Sequence, residues 1–549
     1  MTARRLSKVT WTMAMLWLCA ASAAQAQQAV DPAGDGTASG TWPAAGATAD
    51  EAFAGPREAE AIAIPPAAVG GGVREPTLFL GGWSAVVGAD LAAEDPAEDV
   101  LVLRNRLDLD LRHSPSDNLR VRLAGRLNHR VQAGHRPGSW APSWTLDLPD
   151  LGMRYDTVAE LREASLQWTH GESVWTVGRD TLSWGALELQ SPLRIINPVD
   201  FSLGLASALS NPDDPPLLPT WLVRLQRPLG PGQLDLVLLP FLDQHRFSPF
   251  ATDTAMVQPG VGPDLPASLA SMLRRADLRL DRSLSESLML ALRPPSATPL
   301  DGSLAARWSM RLDGWDLAAV ALWTWDRLPA LHLDRELLTV LGAVAGAGFD
   351  ATQLGQALSD PQVAAALSAS QGKQLTDLVR ATWHRRGVVG LELQGEPVAG
   401  WLVRADVAWS HQKVLMDAQF KPLRSALWQA GAGIEHGLGD WLTALAEVTW
   451  TWAYQVPRGT ALLLTARHQV QVAAGLQARW GEAQTWSAQL GGFYGVSLGD
   501  WAVAPRLTWE FLPDWRTAVG AVIADGPRTS PGGLFGSDDQ VLVELRRVF

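Results

Sequence analysis

The side chains able to do chemistry in this chain are ionised residues that fall at every second position rather than in a cluster. Arg104, Arg106, Asp108, Asp110 and Arg112 interleave with Leu101, Leu103, Leu107, Leu109 and Leu111, and Arg120, Arg122, Arg126 and Arg130 interleave with Leu119, Val121, Leu123 and Leu127. That spacing sets like groups along one face of a strand. It can line a wet surface with charge, but it brings no acid, base and nucleophile to one point. His113, His129, His135, His170, His245, His332, His384, His411, His436 and His468 are scattered without a nucleophile signature, and no metal-ligand spacing occurs. No catalytic group, metal or cofactor is expected. A formal charge of -12 argues against a nucleic-acid partner, whose capture needs a basic surface.

The elements that must position these charges begin after an export signal. Arg4, Arg5 and Lys8 precede an apolar run from Trp11 to Ala21, and Ala24-Gln25-Ala26 supplies an A-x-A cleavage pattern, so residues 1–26 read as a signal peptide. The one cysteine, Cys19, lies inside it behind Leu18, which suits neither lipidation nor a later disulfide. Residues 27–76, rich in Ala, Gly and Pro, read as a flexible periplasmic extension, too irregular to be a folded plug. No later stretch offers 18 continuous apolar residues, so a bundle of membrane helices is not expected.

From residue 77 to 549 period-two alternation recurs. Short turns are repeatedly followed by tryptophan, at Gly314-Trp315, Gly400-Trp401, Asp440-Trp441 and Asp514-Trp515. Trp315, Leu317, Ala319, Ala321, Trp323 and Trp325 share one face, as do Trp401, Val403, Ala405, Val407 and Trp409. An apolar stripe with an aromatic residue at each end matches two girdles on a lipid-facing surface. The final ten residues alternate too and end on Phe549, like the closing-strand signal that barrel-assembly machinery reads. The expected fold is all-β: a transmembrane antiparallel β-barrel of about 16–18 strands, 18 being the best count. Short turns alternate with long external loops, except near residues 498–500, where a connection on the long side is short. Residues 331–380 carry apolar spacing of helical period and read as a helical loop insertion.

One loop has a motif of its own. Gly178, Arg179 and Asp180 lead through Trp184-Gly185 to Asn197-Pro198 and Asp200. This pattern resembles the porin-like outer-membrane proteins grouped as domain of unknown function 1302, although Gln is expected where Asp180 stands. The resemblance covers about residues 160–245 and implies a barrel and a role in transport. It also implies an alternative role, because some of those relatives work beside inner-membrane exporters of the resistance-nodulation-division type. Physically, Gly185 and Asn197-Pro198 suit sharp turns and Asp200 can accept hydrogen bonds, so residues 183–219 either fold back on the wall or narrow the bore.

In the constricting case Arg179, Arg194, Asp200, Asp213 and Asp214 would stand near the path, with Arg104, Arg106, Arg120, Arg122 and Arg126 lining the wall. The inner set also takes in Arg224, Arg404, Asp406, Glu447, Arg467, Arg479, Arg506, Glu510 and Arg516. The first functional expectation is a porin-like channel for ions or small polar solutes, with weak anion preference because arginine exceeds acid. The alternative is a conduit or receptor for lipids or other hydrophobic compounds. The expected partners are outer-membrane lipid, the assembly machinery and an unknown solute.

Overall fold

The computed structural model describes residues 77–90, 101–133, 153–201, 216–246 and 302–549, with further short breaks between 337 and 378 and at 418–420, 463, 528–529 and 535–538. The signal peptide, the extension, Asp213 and Asp214 lie outside the described residues.

The strands in chain order open with β1 (Leu78–Asp90), β2 (Leu101–Ser116), β3 (Leu119–Ala133), β4 (Met153–His170), β5 (Ser173–Asp180), β6 (Thr220–Leu229) and β7 (Gly232–Leu239). They continue with β8 (Ser303–Leu312), β9 (Trp315–Trp325), β10 (Ala330–Leu333), β11 (Val379–Thr382), β12 (Arg385–Val398), β13 (Trp401–Met416) and β14 (Pro422–Leu438). The last are β15 (Leu442–Ala453), β16 (His468–Trp480), β17 (Trp486–Gly495), β18 (Asp500–Leu512), β19 (Trp515–Asp525) and β20 (Gln540–Val548). All but β10 and β11 join one 18-stranded antiparallel sheet, and β1 pairs with both β2 and β20. The sheet is therefore closed. At the seam the Gly81 N–H donates to the Phe549 carbonyl at 2.7 Å and the Phe549 N–H to that of Gly81 at 2.9 Å. The Phe549 ring lies over Gly81, where a Cβ would come within 2.1 Å of it.

Alternation sorts the side chains by face. In β12 and β13 the outward Leu391 is 62 % exposed and Val389 49 %, whereas the inward Asp406 is 0 % and Arg404 4 % exposed. A water-soluble sandwich has the reverse arrangement. The outer wall carries stacked aromatics at the short-turn rim: Trp480 on Trp486 (6.3 Å), Trp486 on Trp509 (5.3 Å), then Phe511 and Trp515, with the Arg547 guanidinium 5.3 Å from the Trp515 centroid. At the other rim stand Trp323, Trp409, Trp428, Trp450 and Trp452, with Trp409 opposite Trp428.

Several turns are tighter than their sequence suggests. The polar stretches 114–118 and 169–172 read as turns, yet β2 runs through Ser116 and β4 through His170, so the turns shrink to residues 117–118 and 171–172. The connection between β17 and β18 spans only 496–499, short although it lies on the long-loop side.

The insertion at 331–380 is not helical throughout. Its ends pair as a β10–β11 ribbon, Ala330 opposite Thr382 and Leu333 opposite Val379, because the chain must leave and rejoin neighbouring strands at one point. Between them the helix α1 (Pro361–Ser370) is described over its whole length, and further helical residues occur at 335–336, 339–340 and 356–357. Asp360-Pro361, which reads as a break in helical spacing, is the start of α1: the Gln362 N–H donates to Asp360 Oδ1 at 2.7 Å, and proline tolerates the first helical position. Leu337, Leu338, Leu341, Val344, Leu354, Leu358, Leu375 and Leu378 lie outside the described residues.

Candidate functional site

The described parts of the segment between β5 and β6, residues 181–201 and 216–219, lie inside the cylinder, and a buried asparagine joins these two legs. The Leu182 N–H donates to Asn197 Oδ1 and Asn197 Nδ2 donates to the Leu218 carbonyl, each at 2.8 Å. Leu218 returns its N–H to the Pro198 carbonyl, also at 2.8 Å. An amide side chain suits this position because it offers acceptor and donor together. Between the legs Trp184, Leu193 and Ile196 pack on inward residues of the wall, among them Leu222 of β6, Val237 of β7, Leu322 of β9, Val388 of β12 and Ala408 of β13. Apolar wall residues on the wet side of the barrel are thus covered by chain, which removes their cost.

Farther in, the backbone is held by acids. Gly185 N–H donates to Glu392 (3.1 Å), Ala186 and Leu187 donate to Asp406 (2.9 and 3.1 Å), and Glu188, Leu189 and Gln190 donate to Glu447 (2.6, 3.1 and 3.0 Å). Ser191 adds its hydroxyl to Asp406 at 2.6 Å. Six consecutive amides that no secondary structure satisfies are met by three carboxylates of β12, β13 and β15. Bonds to charged acceptors are the stronger kind, so the grip is firm. Gly185, at φ 107°, can take the required turn, and a Cβ there would stand 1.8 Å from Ser191 Oγ. The wall supplies matching hollows, since added Cβ atoms would meet Leu193 at 2.5 Å from Gly390 and Leu187 at 2.4 Å from Gly431.

The far leg is tied toward the long-loop rim. Asp200 pairs with Arg246 at 3.0 Å, and Arg246 also pairs with Glu160 of β4. The Val199 N–H donates to His245 Nδ1 at 2.8 Å. Burial, reinforced by Lys413, Arg327 and Arg386, pushes the His245 pKa down to about 3. The imidazole is neutral near pH 7, as an accepting Nδ1 requires. Arg327 donates to the Asp243 carbonyl at 2.7 Å and to that of Ile196, and its burial lowers its pKa to about 10.

The predicted residues separate into three groups. Asn197, Pro198, Gly185, Trp184 and Asp200 build the loop and its anchors. Arg194 also serves the loop rather than the path: it donates to Ser183 Oγ and to the carbonyls of Glu188 and Leu187, bracing the inner bend. Arg179 requires a correction. It lies opposite Trp221 and in phase with Trp175 and Val177, which are 37–47 % exposed, so it belongs to the outer face. Gly178 and Asp180 take the inner positions of that strand, and the Asp180 carboxylate accepts the Thr181 N–H at 2.7 Å.

The wall arginines form an arc on β2 and β3, not a ring around a narrow point. Arg106 and Arg126 both pair with Asp108, and Arg122 pairs with Asp110 (2.9 Å) and Glu163. Arg104 stands opposite Arg130 on the same face, Arg120 lies nearer the short turn, and both have polar or electrostatic partners.

No known family model matches the chain, and no curated protein does. Solved structures similar to it include OccK5 (OpdH) of Pseudomonas aeruginosa, with 9 % identity and a TM-score of 0.43 over 87 % of this chain and 99 % of that one. OpdK of the same species, solved with vanillate, gives 10 % and 0.41 over 87 % and 100 %, and OccAB2 of Acinetobacter baumannii gives 8 % and 0.43 over 87 % and 99 %. The closed barrel assigned to this chain rests on its own strand pairing.

Asp406 and Glu447 read in the sequence as bare lumen charges, and Glu392 was not singled out. The signal was present in glycines on the same inner faces, Gly390 two residues before Glu392 and Gly431 and Gly433 on β14, because an inward glycine in a wall strand leaves room for another backbone.

Proposed function

We propose that this protein is an outer-membrane channel for passive passage of small polar solutes, constricted by residues 181–200. One observation carries the reading: apolar stripes between aromatic girdles face outward, ionised side chains face inward, and a length of chain is fixed within. Lipid satisfies the first and water the second. The inner wall of β2–β4 speaks for polar cargo over a conduit for hydrophobic compounds, since a desolvated lumen would leave Arg106, Arg122 and Arg126 costly even when paired. The channel needs no catalytic group. Arginine predominates over acid on β2 and β3, which supports weak anion preference. The motif from Gly178 to Asp200 supports kinship with the domain of unknown function 1302 proteins, and Phe549 at the seam supports delivery by the barrel-assembly machinery.

The test is conductance of the purified protein in planar bilayers under a salt gradient. Stepwise openings with a reversal potential on the anion side are expected; cation selectivity rejects the preference, and absence of any conductance or solute flux rejects the channel.

A further inference from the structure

The outer wall carries a feature that solute passage does not use. Toward the long-loop rim of β9, β12, β13 and β14, cations stand among the aromatic residues. Arg385 faces outward opposite Trp325, its guanidinium carbon 4.5 Å from the indole centroid, and donates to the Gly302 carbonyl at 3.0 Å. Arg424 is exposed on the outward face of β14, opposite Val414 of β13, and its Nη2 lies 3.0 Å from His384 Nδ1. Only β13 separates the two arginines, so their backbones are about 10 Å apart. Trp323 and Trp428, 48 % and 42 % exposed, lie just inside them. Among the described residues no carboxylate occupies an outward position in this half of the four strands.

We propose that this patch binds the phosphorylated headgroup of an outer-leaflet glycolipid, with phosphate on Arg385 and Arg424 and acyl chains against Trp323 and Trp428. The inference rests on the membrane placement proposed above. Charge complementarity selects the occupant. Two guanidiniums, Arg385 held by an indole face and a backbone carbonyl and Arg424 by the His384 ring nitrogen, fit an anionic headgroup, and arginine suits phosphate through paired donors. A second protein would have to bury those cations without an acid, and a zwitterionic lipid would forfeit half of the attraction. The indoles beneath suit the boundary between headgroup and chain.

The experiment is native mass spectrometry of the whole protein in neutral detergent with bis-phosphorylated lipid A and, separately, with the same lipid stripped of phosphate. At the usual contribution of an interfacial cation, two arginines favour the phosphorylated form by about thirtyfold. The R385Q/R424Q variant is expected to abolish that preference, and R385K/R424K to retain most of it. Equal retention of both lipids by the unaltered protein overturns the proposal without any variant. So does a glutamine variant that keeps the barrel's heat-dependent gel shift and the full preference. Conductance of the unaltered protein is recorded in parallel: an unaltered protein that conducts but does not discriminate between the lipids rejects the patch alone, whereas one that discriminates but does not conduct rejects the channel alone.

Discussion

At the scale of single residues, the loop depends on a few atoms with no substitute. Gly185→Ala places a methyl group against Ser191 at a backbone angle that costs about 1–3 kcal/mol even without the clash. The expected outcome is an undocked loop: larger and noisier single-channel conductance, and new protease cleavage within residues 181–200. Unchanged conductance would mean that this segment does not narrow the path. His245 gives the loop a pH dependence. Its folded pKa is about 3 against an ordinary 6.5, so as acidity rises the released loop binds the proton first. The docked state therefore loses stability as pH falls from the ordinary histidine range toward 3, and no more below. The protection of the Val199 amide, relative to its intrinsic exchange rate at each pH, is expected to fall across that window, and His245→Gln, which still offers an acceptor, to flatten the trend.

At the scale of elements, strand faces were legible because a period of two is written in neighbouring residues. The Trp315–Trp325 and Trp401–Trp409 stripes needed no partner to be read. What grips the loop was hidden for the opposite reason: Ala186 meets Asp406 across 220 positions, and alternation tells which face a side chain takes but not what will lie on it. Arg179 shows the limit from the other side, since its motif suggested the path while its phase with Trp175 and Val177 put it outside. The helical spacing of 331–380 concealed the β10–β11 ribbon, because four-residue strands are too short to impose a period. Glu447→Ala tests the element-level account. It strips the acceptors from three successive amides, a loss of about 1–3 kcal/mol for each amide left buried and unpaired. The loop tip is expected to exchange its amides faster while thermal unfolding of the barrel, which rests on strand pairing, shifts little.

At the scale of the molecule, closure is the organising fact. A sheet of 18 strands without edges has every wall N–H and C=O within reach of a partner, which a bilayer demands. Phe549 completes the last rung at Gly81, so deleting it removes two backbone hydrogen bonds and a ring contact at the seam where the first and last strands meet. A lower yield of heat-modifiable, inserted barrel is expected, with normal conductance from those molecules that do insert. A deletion that leaves assembly untouched would show the seam to be held by its other rungs alone.

The rim is uneven. The connection between β17 and β18 is made only of 496–499, and Ser497 ties it down by accepting the Val470 N–H at 2.8 Å. At four residues it is the shortest connection on the long-loop side by chain length. An amphiphile moving sideways over this rim would meet four residues of chain here, against fourteen in each of the connections 454–467 and 526–539.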